Sequence, residues 1–221
     1  MELWKAMEQR HAVRAYRDEP LEPHVVEALR SCIDECNREG GLHIQLVLDE
    51  PKAFDSTMAR YGKFSGVRNY VALIGKKGPR LEELCGYYGE KIVLEAQQLG
   101  LNSCWVAMSY KKIPEAYCVD AGEKLTVVIA LGYGENAGVP HKSRAPEAVS
   151  RVHGEPPAWF ARGVRAALLA PTAMNQQKFC FALEGNRVSA RAGFGFYSEI
   201  DLGIAKYHFE IGAGRENFEW A

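Results

Sequence analysis

Residues 124–132, KLTVVIALG, limit the possible folds more than any other stretch of the chain. The β-branched and aliphatic run reads as a strand. It lacks the polar alternation of a strand with one wet face, so both of its faces must be covered. Two partners lie upstream. HIQLVLD (43–49) alternates Ile44, Leu46 and Leu48 as a half-buried strand, and NYVALIG (69–75) is a second strand. SCWVAM (103–108) reads as a buried turn or short strand.

Helical periodicity fills the gaps. Residues 2–9 place Leu3, Trp4 and Met7 on one side. Residues 23–38 carry Val25, Val26, Leu29, Cys32, Ile33 and Cys36 on one stripe, with Pro23 at the start and Gly40–Gly41 at the end. Residues 80–101 form a long helix with Leu84, Tyr88, Ile92, Ala96 and Leu99 on its face, and Gly86 and Gly89 inside it point to close backbone packing. After a Gly- and Pro-rich connection (133–157), residues 157–170 make a helix with Trp159, Phe160, Val164, Ala167 and Leu168 inward. FCFALEGNRVSARAG reads as two strands around a Gly-Asn turn, and 198–214 as a helix closing on glycine.

The order of elements in the second half echoes the first. ALRSCIDECN…HIQLVL (28–48) runs parallel to ALLAPTAMNQQKFCFAL (167–183), and YYGEKIVLEAQQLG (87–100) to YSEIDLGIAKYHFEIG (197–212). The expectation is an α+β protein whose central, mainly antiparallel sheet is flanked by helices. Two pseudo-repeated halves, 1–150 and 151–221, are expected to pack as one compact unit.

Twenty-seven basic residues against 28 acidic ones leave a formal net charge of −1, which gives no general attraction to nucleic acid. Aromatic residues do not interleave with the basic clusters either, so nucleic acid is not an expected partner. The N-terminus, MELWKAMEQR, has no apolar core of a signal peptide, and no apolar run is long enough to span a bilayer. The expected setting is cytoplasmic, with no membrane partner. Six cysteines are irregularly spaced and read as small buried hydrophobes. Cys32 and Cys36 could supply half a metal site, but no nearby His or Cys pair completes it, and no metal is expected.

Two segments remain. RHAVRAYRDEPL (10–21) concentrates fixed positive charge at Arg10 and Arg14, whose planar forks suit phosphate oxygens. Lys142 and Arg144, in PHKSRAP, lie on a connection free to fold back and complete a phosphate cradle. Far downstream, APTAMNQQ (170–177) stops a helix at Pro171 and presents hydroxyl and amide groups in a short loop. Those groups suit a heterocycle with alternating carbonyls and N–H groups, or a polar loop that satisfies its own backbone.

With LEAQQLGLNSCWVAM and ALGYGENAGVPHKSRAP, these segments resemble the nitroreductase family of flavin enzymes over most of the chain. The branch it resembles carries the Pro-x-x-x-Asn-x-Gln loop in its C-terminal half. The resemblance implies FMN as cofactor and NAD(P)H as electron donor. It implies a nitroaromatic, quinone or similar small acceptor reduced by a ping-pong mechanism. Arg10, His11 and Arg14 would hold the FMN phosphate and ribityl chain, and Lys142 and Arg144 would complete the phosphate clamp. Pro171, Thr172, Ala173 and Asn175 would meet the flavin from its other side, with Gln177 fixing the loop. Ala12 stands where the family often has Ser. Trp105, Val106 and Ala107 would contact the ring, and Lys63 and Phe64 would cover it or the pocket. No side chain is assigned acid–base work: the flavin N5 carries the chemistry, and Arg14 would stabilise the N1 side of the ring. Family members are homodimers. Here the second half would stand in for the partner, giving a monomer that imitates a dimer, or else a homodimer. A flavin-binding sensor or storage protein without efficient turnover is the alternative.

Overall fold

The computed structural model describes all 221 residues and divides into two compact units. One unit comprises residues 9–81 and 91–140; the other comprises 1–8, 82–90 and 141–221. The boundary falls before the expected break at 150. His141 and Ser143 already bond to the Leu168 carbonyl, which ties the start of the connection to the C-terminal unit.

The first unit is built on a four-stranded antiparallel sheet. Its strands are β1 (Gln45–Val47), β2 (Asn69–Lys76), β3 (Asn102–Val106) and β4 (Glu123–Gly132), in the order β1-β2-β4-β3. The apolar segment lies inside the sheet: Leu131 of β4 is opposite Asn69 of β2 and Ser103 of β3. Val127 to Leu131 are buried on both faces, as the missing alternation requires. Thr126, the polar residue in this run, marks a bulge. The register slips between Leu73 and Ile74, and the Thr126 hydroxyl donates to the Leu73 carbonyl at 2.9 Å.

Helix α2 (Pro23–Gly40) belongs to this unit. Gly41 adopts φ 60° and donates its N–H to the Asn37 carbonyl, closing the helix. Val25, Leu29, Ile33 and Cys36 are buried, while Val26 and Cys32 sit half-buried at the stripe's edge. The Asn37 side chain fixes the helix to the strand that follows, accepting from Ile44 N at 2.7 Å and donating to Ile44 O at 2.9 Å. A short helix α3 (Thr57–Tyr61), which no periodicity marks, is capped by Ser56 accepting from Ala59 N.

The second unit holds α1 (Leu3–Gln9) up to Glu8 and the N-terminal half of α4 (Leu81–Gln98). It also holds β5 (Ser150–Arg151), α5 (Ala158–Ala167), β6 (Phe179–Glu184), β7 (Arg187–Ala192), α6 (Ser198–Ala213) and β8 (Glu219–Trp220). Its sheet, β5-β6-β7-β8, is mixed: β6 and β7 form the expected hairpin, and the two edge strands pair in parallel. The strand pairing therefore differs from that of the first unit. Phe181 and Phe209 stack at 4.5 Å between centroids, and Phe160 meets Phe209 edge-on.

Helix α4 is buried on more than the expected face. Ile92 and Ala96 are buried, but Leu84, Tyr88 and Leu99 are only half-buried, while Cys85, Gly86, Gly89, Glu90, Val93 and Leu94 are enclosed. The reason is backbone contact. A Cβ on Gly86 would collide with the Ile200 carbonyl, and one on Gly203 with the Glu83 carbonyl, so α4 and α6 touch main chain to main chain. Beside this contact, Glu90 Oε1 lies 2.8 Å from His208 Nε2, and both side chains are 0% exposed. No helix is long and apolar enough to cross a membrane.

Candidate functional site

In the first unit, the basic segment is laced into the sheet's surroundings by its backbone. Val13 N donates to Ser103 O, Ser65 N to Arg14 O, Tyr16 N to Ser65 O and Arg17 N to Tyr133 O. Val13 and Tyr16 therefore point into the core, and the Tyr16 hydroxyl donates to the Val13 carbonyl at 2.7 Å. The intervening Arg14 points out. Gly66 makes this lacing possible: at φ 69° its Cα faces the Tyr16 carbonyl so closely that no side chain fits.

Arg14 borders a cavity of about 380 Å³ lined by Tyr61, Gly62, Lys63, Phe64, Trp105, Val106, Ala107 and Ser109. The structure thus brings Arg14, Lys63, Phe64, Trp105, Val106 and Ala107 together from three separate stretches of sequence. Trp105 and Val106 end β3, and Lys63 and Phe64 follow α3. Lys63 adopts φ 61°, an unfavourable conformation for a non-glycine residue. Phe64 packs edge-on against Phe54 at 5.2 Å, and the Arg14 guanidinium lies 5.8 Å above the Phe64 ring. No carboxylate forms an ion pair with Arg14 or Lys63.

Arg10, His11 and Ala12 do not line this cavity. Arg10 is 3% exposed, and its charge, with that of Arg14, opposes the burial that pushes the Cys104 thiol up. His11 is half-buried and packs near Gly138, and Ala12 is exposed and bridges to Ser103. Tyr61 and Gly62, in the stretch 61–70 expected to cover the ring or pocket, also line the cavity, and Ser109 lines it unexpectedly. Only Gly62 leaves a trace in the sequence, as a glycine whose Cβ would lie 2.5 Å from that of Ser109.

The remaining expected residues lie in the second unit, in two segments knitted together. The Leu168 carbonyl accepts from His141 Nε2 at 2.9 Å and from Ser143 Oγ at 3.0 Å, while Lys142 and Arg144 are exposed. Asn175 Nδ2 and Gln177 Nε2 both donate to Lys142 O, and Arg144 N donates to Gln177 Oε1 at 2.8 Å. Gln177 Nε2 also reaches Asn175 Oδ1, and Gln177 N donates to Thr172 Oγ1. These bonds hold a strained backbone: Met174, Asn175 and Gln177 have φ of 52°, 52° and 46°. Each such conformation costs about 1–3 kcal/mol and persists only where its surroundings enforce it. Pro171, Thr172 and Ala173 form the half-buried entry to this turn. The loop does satisfy much of its own polarity, yet Asn175 keeps one N–H and one lone pair unspent.

Asp201, in the first turn of α6, anchors the same loop and carried no signal in the sequence. It is 3% exposed and accepts from Ala173 N at 2.9 Å and Gln176 Nε2 at 2.7 Å. Burial outweighs these bonds and raises its carboxyl to about 6 from 3.8. The folded chain therefore keeps a proton that the unfolded chain has lost between those two values, so stability falls as pH rises through that window. The full span is worth up to about 3 kcal/mol. Asp201→Asn removes the titrating group and is expected to flatten this slope, its amide oxygen still able to accept from Ala173 N. Urea titrations of both proteins at about pH 4 and about pH 7 check it. An unchanged difference between the two pH values would disprove this role for Asp201.

A family model described as "Putative TM nitroreductase" matches residues 2–213. The chain belongs to this nitroreductase family. Its structure is similar to that of a protein from Thermotoga maritima MSB8 described as a "putative nitroreductase". That likeness has a TM-score of 0.70 at 20% identity, over 98% of this chain and 85% of the other. It is also similar to a "putative nitroreductase in complex with FMN" from Desulfovibrio desulfuricans, with a TM-score of 0.52 at 17% identity over 71% of this chain and 98% of the other. At these identities the likeness is one of fold. No curated protein matches the sequence.

Proposed function

We propose that this nitroreductase-family chain binds FMN in the cavity beside Arg14 and acts as an NAD(P)H-dependent oxidoreductase on nitroaromatic, quinone or similar small acceptors. The observation that carries this reading is the composition of the cavity wall. Two cations without carboxylate partners, Arg14 and Lys63, face a space bounded by Phe64, Trp105, Val106 and Ala107. A flat aromatic ring with an electron-rich polar edge and an anionic tail matches such a wall. The volume, about 380 Å³, is within the range of small-molecule sites. The FMN complex of the Desulfovibrio protein of similar fold supports the choice of cofactor.

Bound FMN supplies the electron-transfer chemistry. The protein's own residues do the rest. The Gly66-dependent lacing of residues 13–17 fixes the Arg14 backbone, and with it the direction from which positive charge reaches the cavity. Phe64, held by Phe54, and Val106, buried in β3, give the cavity rigid apolar walls. The cavity is exposed at Tyr61 and Lys63, and a donor and an acceptor that used this opening in turn would react by ping-pong kinetics.

The visible spectrum of the purified chain tests this reading, before and after added FMN and then NADH or NADPH without oxygen. Expected are a yellow protein with one FMN per chain, bleaching by a nicotinamide donor, and recovery of colour with a quinone. A colourless protein that FMN cannot reconstitute would overturn the reading. Bound flavin that neither donor bleaches would replace it with a binding role without turnover.

A further inference from the structure

We infer that His43, Asp120 and Glu123, with Cys118 beside them, form a binding site for one divalent transition-metal ion of the zinc class, independent of the proposed flavin site. These residues lie in the first unit, where the chain enters β1 and where it enters β4. His43 Nδ1 is 2.8 Å from Glu123 Oε2. One ligand atom each from His43, Asp120 and Glu123 lies within 4.8 Å of the others. Cys118 Sγ, 3.3 Å from Asp120 Oδ1, stands outside this three-atom group and would have to swing inward to become a fourth ligand.

Zinc takes nitrogen and oxygen ligands at about 2.0–2.2 Å and sulfur at about 2.3 Å, so two ligand atoms on one ion are at most about 4.4 Å apart. The cluster is already near that size. Its donor set also selects the ion. An imidazole, two carboxylates and a thiol suit zinc or its neighbours, whereas magnesium and calcium require oxygen throughout.

The charge balance points the same way. Neither Asp120 nor Glu123 is paired with a lysine or arginine, and His43 is the only basic group bonded to either. The Glu123 side chain is only 9% exposed, so its charge is not simply left to solvent. A cation at the centre would offset the repulsion between the two carboxylates.

The backbone around the cluster is already fixed. His43 N donates to Ile74 O and Lys77 N to Gly122 O, which pins both segments to β2. Asp120 N donates to Glu123 Oε2, and Glu123 N to Asp120 O. Gln45 clamps the Cys118 main chain from both sides, with Nε2 to Cys118 O at 2.7 Å and Cys118 N to Oε1 at 2.9 Å. A metal on His43 Nδ1 moves the ring proton to Nε2, which then no longer accepts from Gln45. Gln45 Nε2 retains the carbonyls of Cys118 and His43 as acceptors, while the new Nε2–H, on a half-buried ring, has to turn from Gln45 to solvent.

The test uses the full-length chain without a histidine tag, stripped with a chelator. Zinc binding is measured by calorimetry and cobalt binding by absorption. Expected are saturation at one ion per chain and a sulfur-to-cobalt charge-transfer band. His43→Ala and Asp120→Asn should each weaken zinc binding by at least about 10-fold, since even outer-shell changes have effects of that size. Cys118→Ser should remove the charge-transfer band. Asp120 and Cys118 are exposed, so their variants are expected to fold even where His43→Ala does not. Absence of saturable binding, or zinc affinity unchanged in Asp120→Asn, would overturn the site. Cobalt binding without the sulfur band would exclude Cys118 and leave a three-ligand site.

Discussion

Glu90→Ala is expected to destabilise the fold by about 3–5 kcal/mol, the usual result of removing one partner from a fully buried ionisable pair. His208 Nδ1 lies 3.1 Å from the Ala166 carbonyl, which can only accept, so that nitrogen carries a proton. His208 Nε2 and Glu90 Oε1 share one hydrogen bond at 2.8 Å, so neither of these two enclosed atoms is left without a partner. Alanine at 90 leaves Nε2 facing a void beside the α4–α6 backbone contact at Gly86 and Gly203. Repacking into that void is prevented because those main chains already touch. Glu90→Gln distinguishes the hydrogen bond from mere bulk: its amide can donate to Nε2 of a neutral imidazole, and the loss should fall to about 1 kcal/mol. Urea unfolding of the two variants reads both numbers. Equal losses would mean that volume rather than the bond is what matters, and a cost below about 1 kcal/mol for Glu90→Ala would remove the pair from the account of stability.

What was legible in the sequence is what repeats locally. The apolar run of β4 shows that neither of its faces is wet, because burial on both faces leaves a continuous trace. The α2 stripe, the Gly185–Asn186 hairpin and the glycine-closed helices were legible for the same reason. The face of α4 was misjudged because main-chain contact at Gly86 replaces side-chain periodicity there. Strands β5 and β8 are two residues long, too short for any side-chain alternation to mark them. For the cavity, the family resemblance named Arg14, Lys63, Phe64, Trp105, Val106 and Ala107, which local pattern could not have connected. Asp201 with Gln176, Glu90 with His208 and His43 with Glu123 escaped notice. Each joins single residues from separate elements, and a lone acid in an apolar helix looks the same whether or not a partner waits for it.

Arg14→Ala is expected to lower the midpoint potential of bound FMN while leaving the fold nearly unchanged. The fold should hold because the main chain, not the side chain, ties residues 13–17 in place. The side chain is exposed and has no carboxylate partner to be left uncompensated. What disappears is a positive charge at the cavity wall and a contact with the Phe64 ring, itself worth about 0.5–1 kcal/mol at an exposed site. Adding electrons to a bound ring makes it more negative, so a nearby fixed cation favours the reduced state. A preorganised donor aimed at developing charge contributes about 3 kcal/mol in a water-excluded site. Arg14 stands at an exposed edge, and solvent screening reduces this to about 1–3 kcal/mol. For two electrons that corresponds to a fall of roughly 20–65 mV. Arg14→Lys keeps the charge and loses only the planar fork, so it should stay close to the parent. Raising the salt concentration should shrink the gap between parent and alanine variant, because an exposed charge is screened within about 10 Å at 0.1 M. Identical potentials in parent and alanine variant, with FMN bound to both, would place the ring beyond the reach of Arg14 and overturn the proposed site.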